Sequence, residues 1–255
     1  MNILLEIVEK NRPALDARKR QVPAAELEKR LPELPGRPDF AAAFAGPGMH
    51  VIAELKKASP SKGLIRENLD VPSLASALEK AGAAALSVLT EPFYFRGSLD
   101  NLRLAAQSCG LPLLRKDFIF DPYQILEAKC AGASAVLLIG AMLDPAAFRD
   151  LAGYAHSLGL RVLGEVHCEE ELATVRDADL FGVNARDLRT FSTSLEHSAK
   201  LIRLAAGAKP VIAESAVKSR EDMQMLVAAG ASGFLIGETL MRAAEPGEKL
   251  REMIR

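Results

Sequence analysis

The chain has no tryptophan, only three cysteines and an aromatic content of 5%. Cys109, Cys130 and Cys168 are odd in number, widely spaced and without a CxxC pair. That usage argues against a disulfide scaffold or a zinc site and suits a reducing compartment. His50, His156, His167 and His197 show no metal-ligand spacing either. Only His167 falls near a possible site, and a histidine beside a strand end is more often a satisfied structural residue. Long hydrophobic runs are also missing, and nothing approaches the roughly 20 apolar residues that span a bilayer. The N-terminus MNILLEIVEKNRPALDARKR lacks a basic segment ahead of its apolar part, which Glu6, Glu9 and Lys10 interrupt, so it does not read as a signal peptide. A cytoplasmic location is the expectation. A formal net charge of −1 creates no global field that would advertise nucleic acid or a membrane surface. Any anion site has to be local.

What is present is a chain of 255 residues, 49% hydrophobic and 25% charged, able to bury a sizeable core and ordinary in composition for a globular enzyme. Residues 1–48 read as a helical extension, with Ile3, Leu4, Ile7 and Val8 at helical spacing and a second helical pattern in AAELEKRLPEL, punctuated by Pro23, Pro32, Pro35, Pro38 and Pro47. Residues 49–255 read as one catalytic domain. There AGAAALSV, AGASAVLL and AGASGFLI begin at Ala81, Ala131 and Ala229, the first gap being about half the second. In each, a glycine able to close a helix is followed at once by a β-rich run. If the shorter gap holds two βα units, a unit is roughly 25 residues and the region accommodates about eight.

Candidate strands at 51–56, 84–90, 112–116, 135–140, 161–166, 180–184, 210–213 and 233–237 fill that count. Helical patterns such as VPSLASALEKAG, DPYQILEAKCAG and SREDMQMLVAAG lie between them, several with a Ser or Asp cap and a closing Gly. Eight parallel strands, each followed by a helix, predict an α/β fold, a (β/α)8 TIM barrel. A doubly wound open sheet is the alternative, but no GxGxxG follows the first strand.

In such a barrel the working face lies at the C-terminal strand ends. Alternation puts Ile52, Glu54 and Lys56 on one face of strand one. It likewise groups Leu114, Lys116 and Phe118; Leu163 and Glu165; Gly182, Asn184 and Arg186; and Ala213 and Ser215. An ion pair at one strand end has a structural explanation, whereas lysines and carboxylates at four strand ends favour a crowded, partly desolvated site. Lys57 points away. ESAVKS and IGETLMRA place small residues between a strand and a helix, where free backbone N–H groups can hold phosphate, although each is also readable as a tight turn.

In order, VIAELKKASPSKG, LSVLTEPFYFRGSLDNL, LLRKDFIFDPYQI, GEVHCEEEL, FGVNARDLRTF, IAESAVKS and IGETLMRA resemble the indole-3-glycerol phosphate synthase family essentially end to end. The resemblance implies a lyase of tryptophan biosynthesis. It closes the ring of 1-(2-carboxyphenylamino)-1-deoxyribulose 5-phosphate with loss of carbon dioxide and water, without cofactor or metal. It further implies Lys116 as general acid, Glu165 as base and Lys56 as substrate contact and second proton donor, with Glu54 and Asn184 positioning these groups. Ser59, Phe118, Leu137, Arg186, Leu188 and Ser215 would bind substrate. Lys56, Ser215, Ala216, Gly237 and Glu238 would hold phosphate. Partners would be limited to the small phosphosugar–anthranilate substrate, with no nucleic acid or membrane, and the chain would be a monomer or at most a weak dimer. Residues 59–63 become a candidate mobile loop over the substrate.

Three residues depart from the family pattern. Ala216 stands where glycine is usual, at a cost on the order of 1 kcal/mol if the position needs positive φ. Gly164 replaces a bulkier apolar residue ahead of Glu165 and is expected to loosen that strand end. Ala185 is expected to alternate outward harmlessly. Two rival functions remain on residues alone, a Schiff-base phosphosugar lyase using Lys116 or Lys56 and a phosphate-binding barrel without catalysis.

Overall fold

A computed structural model describes residues 3–46, 48–186, 192–207 and 209–255. Eight parallel strands close into a barrel: β1 His50–Leu55, β2 Ala85–Leu89, β3 Leu113–Lys116, β4 Ala135–Ile139, β5 Arg161–Val166, β6 Leu180–Asn184, β7 Val211–Glu214 and β8 Gly233–Ile236. Each pairs with its sequence neighbours, and β8 returns to β1 with Ala53 opposite Ile236. The strands are short runs of buried Val, Ile, Leu and Ala, as expected where both faces of a parallel sheet are covered.

Two helices precede the barrel, α1 Ile3–Gln21 and α2 Ala24–Glu28. Around it run α3 Val71–Lys80, α4 Leu99–Ser108, α5 Pro122–Cys130, α6 Pro145–Ser157, α7 Leu195–Ala205, α8 Arg220–Ala229, α9 Glu238–Arg242 and α10 Pro246–Ile254. Side-chain caps start the helices where the sequence placed them. Asp70 accepts from the Ser73 N–H, Asp144 from those of Ala146 and Ala147, and Ser219 forms a reciprocal capping box with Asp222. Gly82, Gly132 and Gly230 follow α3, α5 and α8 with positive φ, the conformation that turns the chain into the next strand.

One connection differs from a strict strand–helix alternation. Between β5 and β6 the chain makes only a 3-10 segment, Glu169–Ala173, packed close to the barrel. Gly164 belongs to that packing. A Cβ there would lie 2.8 Å from the Cβ atoms of both Val175 and Ala178, so the missing side chain admits a close approach. The expected loosening of this strand end does not occur.

The core has two layers. Val51, Ala53, Leu55, Val88, Val162, Val183, Ala213 and Phe234 point outward into a cluster shared with the helices. Ile52, Leu114, Leu137, Leu163, Leu180, Ile212 and Leu235 fill the interior, with Phe40 and Phe44 packed against them. Phe44 meets the start of the strands, edge-on to His50 at 6.3 Å. With that end plugged, the interior opens toward the C-terminal strand ends. Among the described residues no helix is long and apolar enough to cross a membrane.

Candidate active site

Interior alternation carries polar groups to the open end. Above Ile52 comes Glu54, above Leu114 comes Lys116, above Leu163 comes Glu165 and above Ile212 comes Glu214. These residues line a cavity of about 660 Å3 together with Lys56, Ser59, Phe118, Leu137, Asn184, Arg186, Ser215, Ala216, Gly237 and Glu238. Thirteen of the residues singled out from sequence therefore share one cavity. Leu188 lies outside the described residues. Ala185 is buried and does not line the cavity.

Lys116 is the hub. Its Nζ donates to Glu165 Oε2 at 2.8 Å and to Glu214 Oε2 at 2.9 Å. Asn184 Nδ2 donates to Glu165 Oε1 at 3.0 Å and so fixes that carboxylate from the next strand. Lys56 pairs with Glu54, and Glu54 Oε2 has no aligned hydrogen-bond donor. A Cβ on Gly237 would run into the Glu54 carboxylate and lie 3.0 Å from Lys56 Nζ, so the residue that follows β8 must lack a side chain for the pair to fit. Gly182 likewise leaves the space that Glu214 Oε1 fills.

Burial works against the Lys116 charge, but Glu165, Glu214 and Glu54 outweigh it and raise the pKa, so the ammonium form is held firmly. Burial also opposes ionisation of Glu165, yet Lys116 and His167 keep that carboxyl well below its usual range. Glu214 has no such surplus of partners. Burial pushes it up, Lys116 pulls it down, Glu165 repels it, and the result is about 7. His167 Nε2 lies 3.2 Å from Glu165 Oε1, off the axis of a straight hydrogen bond, and its Nδ1 lies 3.4 Å from Glu171 Oε2. Burial lowers its affinity for a proton, but the two carboxylates raise its pKa to about 9. His167 therefore belongs to the polar network of the site.

Glu214 is the residue that sequence reasoning left without a role. Grouping Ala213 with Ser215 as the facing pair was incorrect. Ala213 points outward, Ile212 and Glu214 point inward, and two residues of positive φ, Ser215 at 63° and Ala216 at 62°, then break the alternation. Buried Ile212, two residues earlier, was the available signal. The left-handed backbone at Ala216 meets the condition under which alanine there is strained.

Part of the cavity lining is apolar, with Phe118 and Phe95 at 5.9 Å between ring centroids, Leu137, Leu89 and Ile7 of α1. α1 is tied to this wall by buried polar contacts. Asn11 Nδ2 donates to Glu91 Oε1 at 2.9 Å, and Glu91 accepts the N–H groups of Phe93, Tyr94 and Phe95. Arg18 pairs with Glu127 at 2.7 Å, and Glu127 faces Arg115. Arg115 points away from the cavity and donates to Thr90 Oγ1 at 3.1 Å and Asp117 Oδ2 at 2.8 Å, bracing the strand that presents Lys116.

Across the mouth, Thr239 Oγ1 donates to the Val217 carbonyl at 3.1 Å and joins the loops after β7 and β8. Residues 58–64 form an antiparallel hairpin in which Ala58–Ser59 pairs with Gly63–Leu64. Arg186 Nη1 reaches Ser61 Oγ at 3.3 Å and Lys62 lies 3.7 Å from Glu238, so the hairpin touches two other loops.

Comparison with known proteins agrees with this geometry. The profile of the family described as indole-3-glycerol phosphate synthase matches residues 4–253. The chain is 49% identical over 255 residues to the protein of that name from Koribacter versatilis, covering 98% of both chains. It is 44% identical over 245 residues to that from Rhodopirellula baltica, covering 95% of each. Among solved structures it resembles a 3-hexulose-6-phosphate synthase (TM-score 0.66, 15% identity, 80% of this chain and 98% of that one). It also resembles a tryptophan synthase α-subunit mutant from Pyrococcus furiosus (TM-score 0.62, 15% identity, 81% and 98%). At that identity the structural likenesses concern the barrel alone. The profile match and the two relatives, each spanning nearly the whole chain, go further: this chain belongs to the indole-3-glycerol phosphate synthase family.

Proposed function

We propose that the cavity is where the chain converts 1-(2-carboxyphenylamino)-1-deoxyribulose 5-phosphate to indole-3-glycerol phosphate, with Lys116 as the general acid. The observation that carries this assignment is the hydrogen bonding of Lys116 to two buried carboxylates, which keeps a proton on the amine at the base of the cavity. The ring carbon bearing the carboxylate attacks the ketone as Lys116 protonates the ketone oxygen. Carbon dioxide then leaves and restores the aromatic ring. The new hydroxyl departs as water with a proton from Lys56, while Glu165, positioned by Asn184, removes the adjacent C–H proton. Glu54 and Glu214 offset the positive charge that develops on the anilino nitrogen. A lysine held protonated is a poor nucleophile, which speaks against a Schiff-base lyase at Lys116.

The apolar wall of Phe118 and Leu137 suits the anthranilate ring, with Ser59 and Arg186 toward its carboxylate. Lys56 and the backbone at Ser215, Ala216 and Gly237 suit the phosphate. Glu238 is occupied by Lys62 and Arg242, so its contribution there is to place those cations. In this reading residues 1–48 extend a barrel of residues 49–255, and one copy of the chain supplies each proposed group.

The test is conversion of the carboxyphenylamino-deoxyribulose phosphate to an indole-fluorescent product, against a low background because the chain has no tryptophan. Lys116→Ala and Glu165→Gln should each lower kcat by roughly 100-fold or more with far smaller effects on substrate affinity. Near-normal turnover in either would overturn its role.

A further inference from the structure

Pro13 lies inside α1 and brings no N–H to the carbonyl of Glu9, so one rung is missing from the helix between its first turns and its second half. The two parts are held by different partners. Beyond Pro13, Arg18 pairs with Glu127 of α5 and Lys19 with Asp121, the cap of that helix. Before it, Ile3, Leu4 and Ile7 line the cavity, while Glu6, Lys10 and Asn11 engage the loop that follows β2. Glu6 Oε1 accepts from the Tyr94 hydroxyl at 2.6 Å, and Lys10 Nζ lies 4.8 Å from the centre of the Tyr94 ring. Of these attachments the bond from Asn11 to Glu91 is the buried one.

Glu91 is completely buried, and each of its oxygens accepts two N–H groups. Oε1 takes Asn11 Nδ2 at 2.9 Å and the Phe93 N–H at 3.0 Å, and Oε2 takes the N–H groups of Tyr94 at 2.7 Å and Phe95 at 3.0 Å. One carboxylate therefore shapes the loop that turns Phe95 toward Phe118 in the cavity. The Gly97 N–H closes the turn on the Glu91 carbonyl at 2.8 Å, and a Cβ on Gly97 would lie 2.3 Å from the Leu89 carbonyl oxygen, so the backbone is packed too closely to take another course. Asn11 Nδ2 also donates to the Ile7 carbonyl, one turn back in α1, at 2.9 Å. A single amide thus joins the turn that carries Ile7 to the carboxylate that places Phe95.

We propose that Asn11 and Glu91 are positioning residues that hold Ile7 and Phe95 in one preformed apolar wall for the aromatic ring of the substrate, and that this pairing sets affinity for the ring rather than the rate of the chemistry. The inference rests on the ring placement proposed above, against Phe118 and Leu137. A wall already in place carries no ordering cost when the ring arrives. Neither residue bonds to Lys116, Glu165 or Lys56, so what the pair contributes is felt equally before and during reaction and belongs to KM.

The experiment uses two competitive inhibitors, N-(2-carboxyphenyl)glycine, which has the substrate's ring but no phosphate, and inorganic phosphate, which has no ring. In Asn11→Leu and Glu91→Gln the inhibition constant of the ring compound and KM should each rise roughly tenfold, with kcat and the constant for phosphate within about twofold of the parent. Asn11→Ala, which favours the helix, should behave as Asn11→Leu does and serves if that variant fails to fold. The double variant should bind the ring compound little worse than Glu91→Gln alone, because the two changes remove one shared interaction. Lys19→Gln, on the far side of Pro13, should lower Tm and leave both inhibition constants unchanged. Parental affinity for the ring compound in the Asn11 variants would overturn the inference, as would an equal loss for the ring compound and phosphate, which is what a merely structural pair gives. If phosphate inhibits the parent and the ring compound does not, the ring placement itself fails and the inference falls with it.

Discussion

Replacing Ala216 with glycine should stabilise this protein, against the usual direction of an alanine-to-glycine change. Ala216 has φ 62°, on the left-handed side of the map where Cβ crowds the following carbonyl, and this costs about 1–2 kcal/mol for an L-residue. Glycine removes that cost but adds freedom to the unfolded chain, a penalty of roughly 0.5–1 kcal/mol. The difference leaves a gain of about 0.5–1 kcal/mol, or a rise in Tm of roughly 1–4 °C for a domain of this size. Reversible urea or thermal unfolding monitored by far-UV circular dichroism measures it. Ala213→Gly is the control, because Ala213 is buried in β7 with no positive φ and should lose stability. If both variants lose stability equally, Ala216 is not strained and the reasoning fails. The same substitution bares the backbone next to the proposed phosphate position, so KM should fall with kcat little changed.

Two further outcomes follow from the packing and charge at the cavity floor. Gly237→Ala should lower kcat by at least tenfold in the indole fluorescence assay, since its Cβ would occupy the place of the Glu54 carboxylate; parental activity would show that the pair is free to move aside. Glu214 is raised from the ordinary 4.5 to about 7, so between those values the folded chain keeps a proton that the unfolded chain has lost. Its contribution to stability is complete below pH 4.5 and declines as pH rises toward 7. Glu214→Gln should flatten that part of the stability–pH curve, measured by urea unfolding, and an unchanged slope would refute the shift.

The sequence made the barrel and one side of its cavity legible for a physical reason. Period-two alternation in a short buried strand leaves little choice about which side chains face inward, and Ile52–Glu54, Leu114–Lys116 and Leu163–Glu165 follow it without interruption. Glu214 was harder because its strand reads VIAE and is followed by two left-handed residues. Counting alternation backward from Ser215 gives the wrong parity, whereas counting forward from Ile212 gives the right one. Gly164 misled for a different reason. A missing side chain reads as slack in one dimension, but here two neighbours from the connection after β5 have moved into the space. The importance of His167 depends on Glu171, four residues onward, folding back toward it, and local pattern does not reveal such a reversal.

The arrangement of floor charges also bears on how the barrel could be divided. The first four strands and their ends supply Glu54, Lys56 and Lys116, and the last four supply Glu165 and Glu214. Cut between β4 and β5, one fragment would carry two floor ammonium groups against one carboxylate and the other two floor carboxylates. Each bond from Lys116 to a carboxylate would then cross the seam. Separately produced halves would thus carry complementary floor charges for finding one another, and their recombination would restore the Lys116 ammonium and its counterions in the same step.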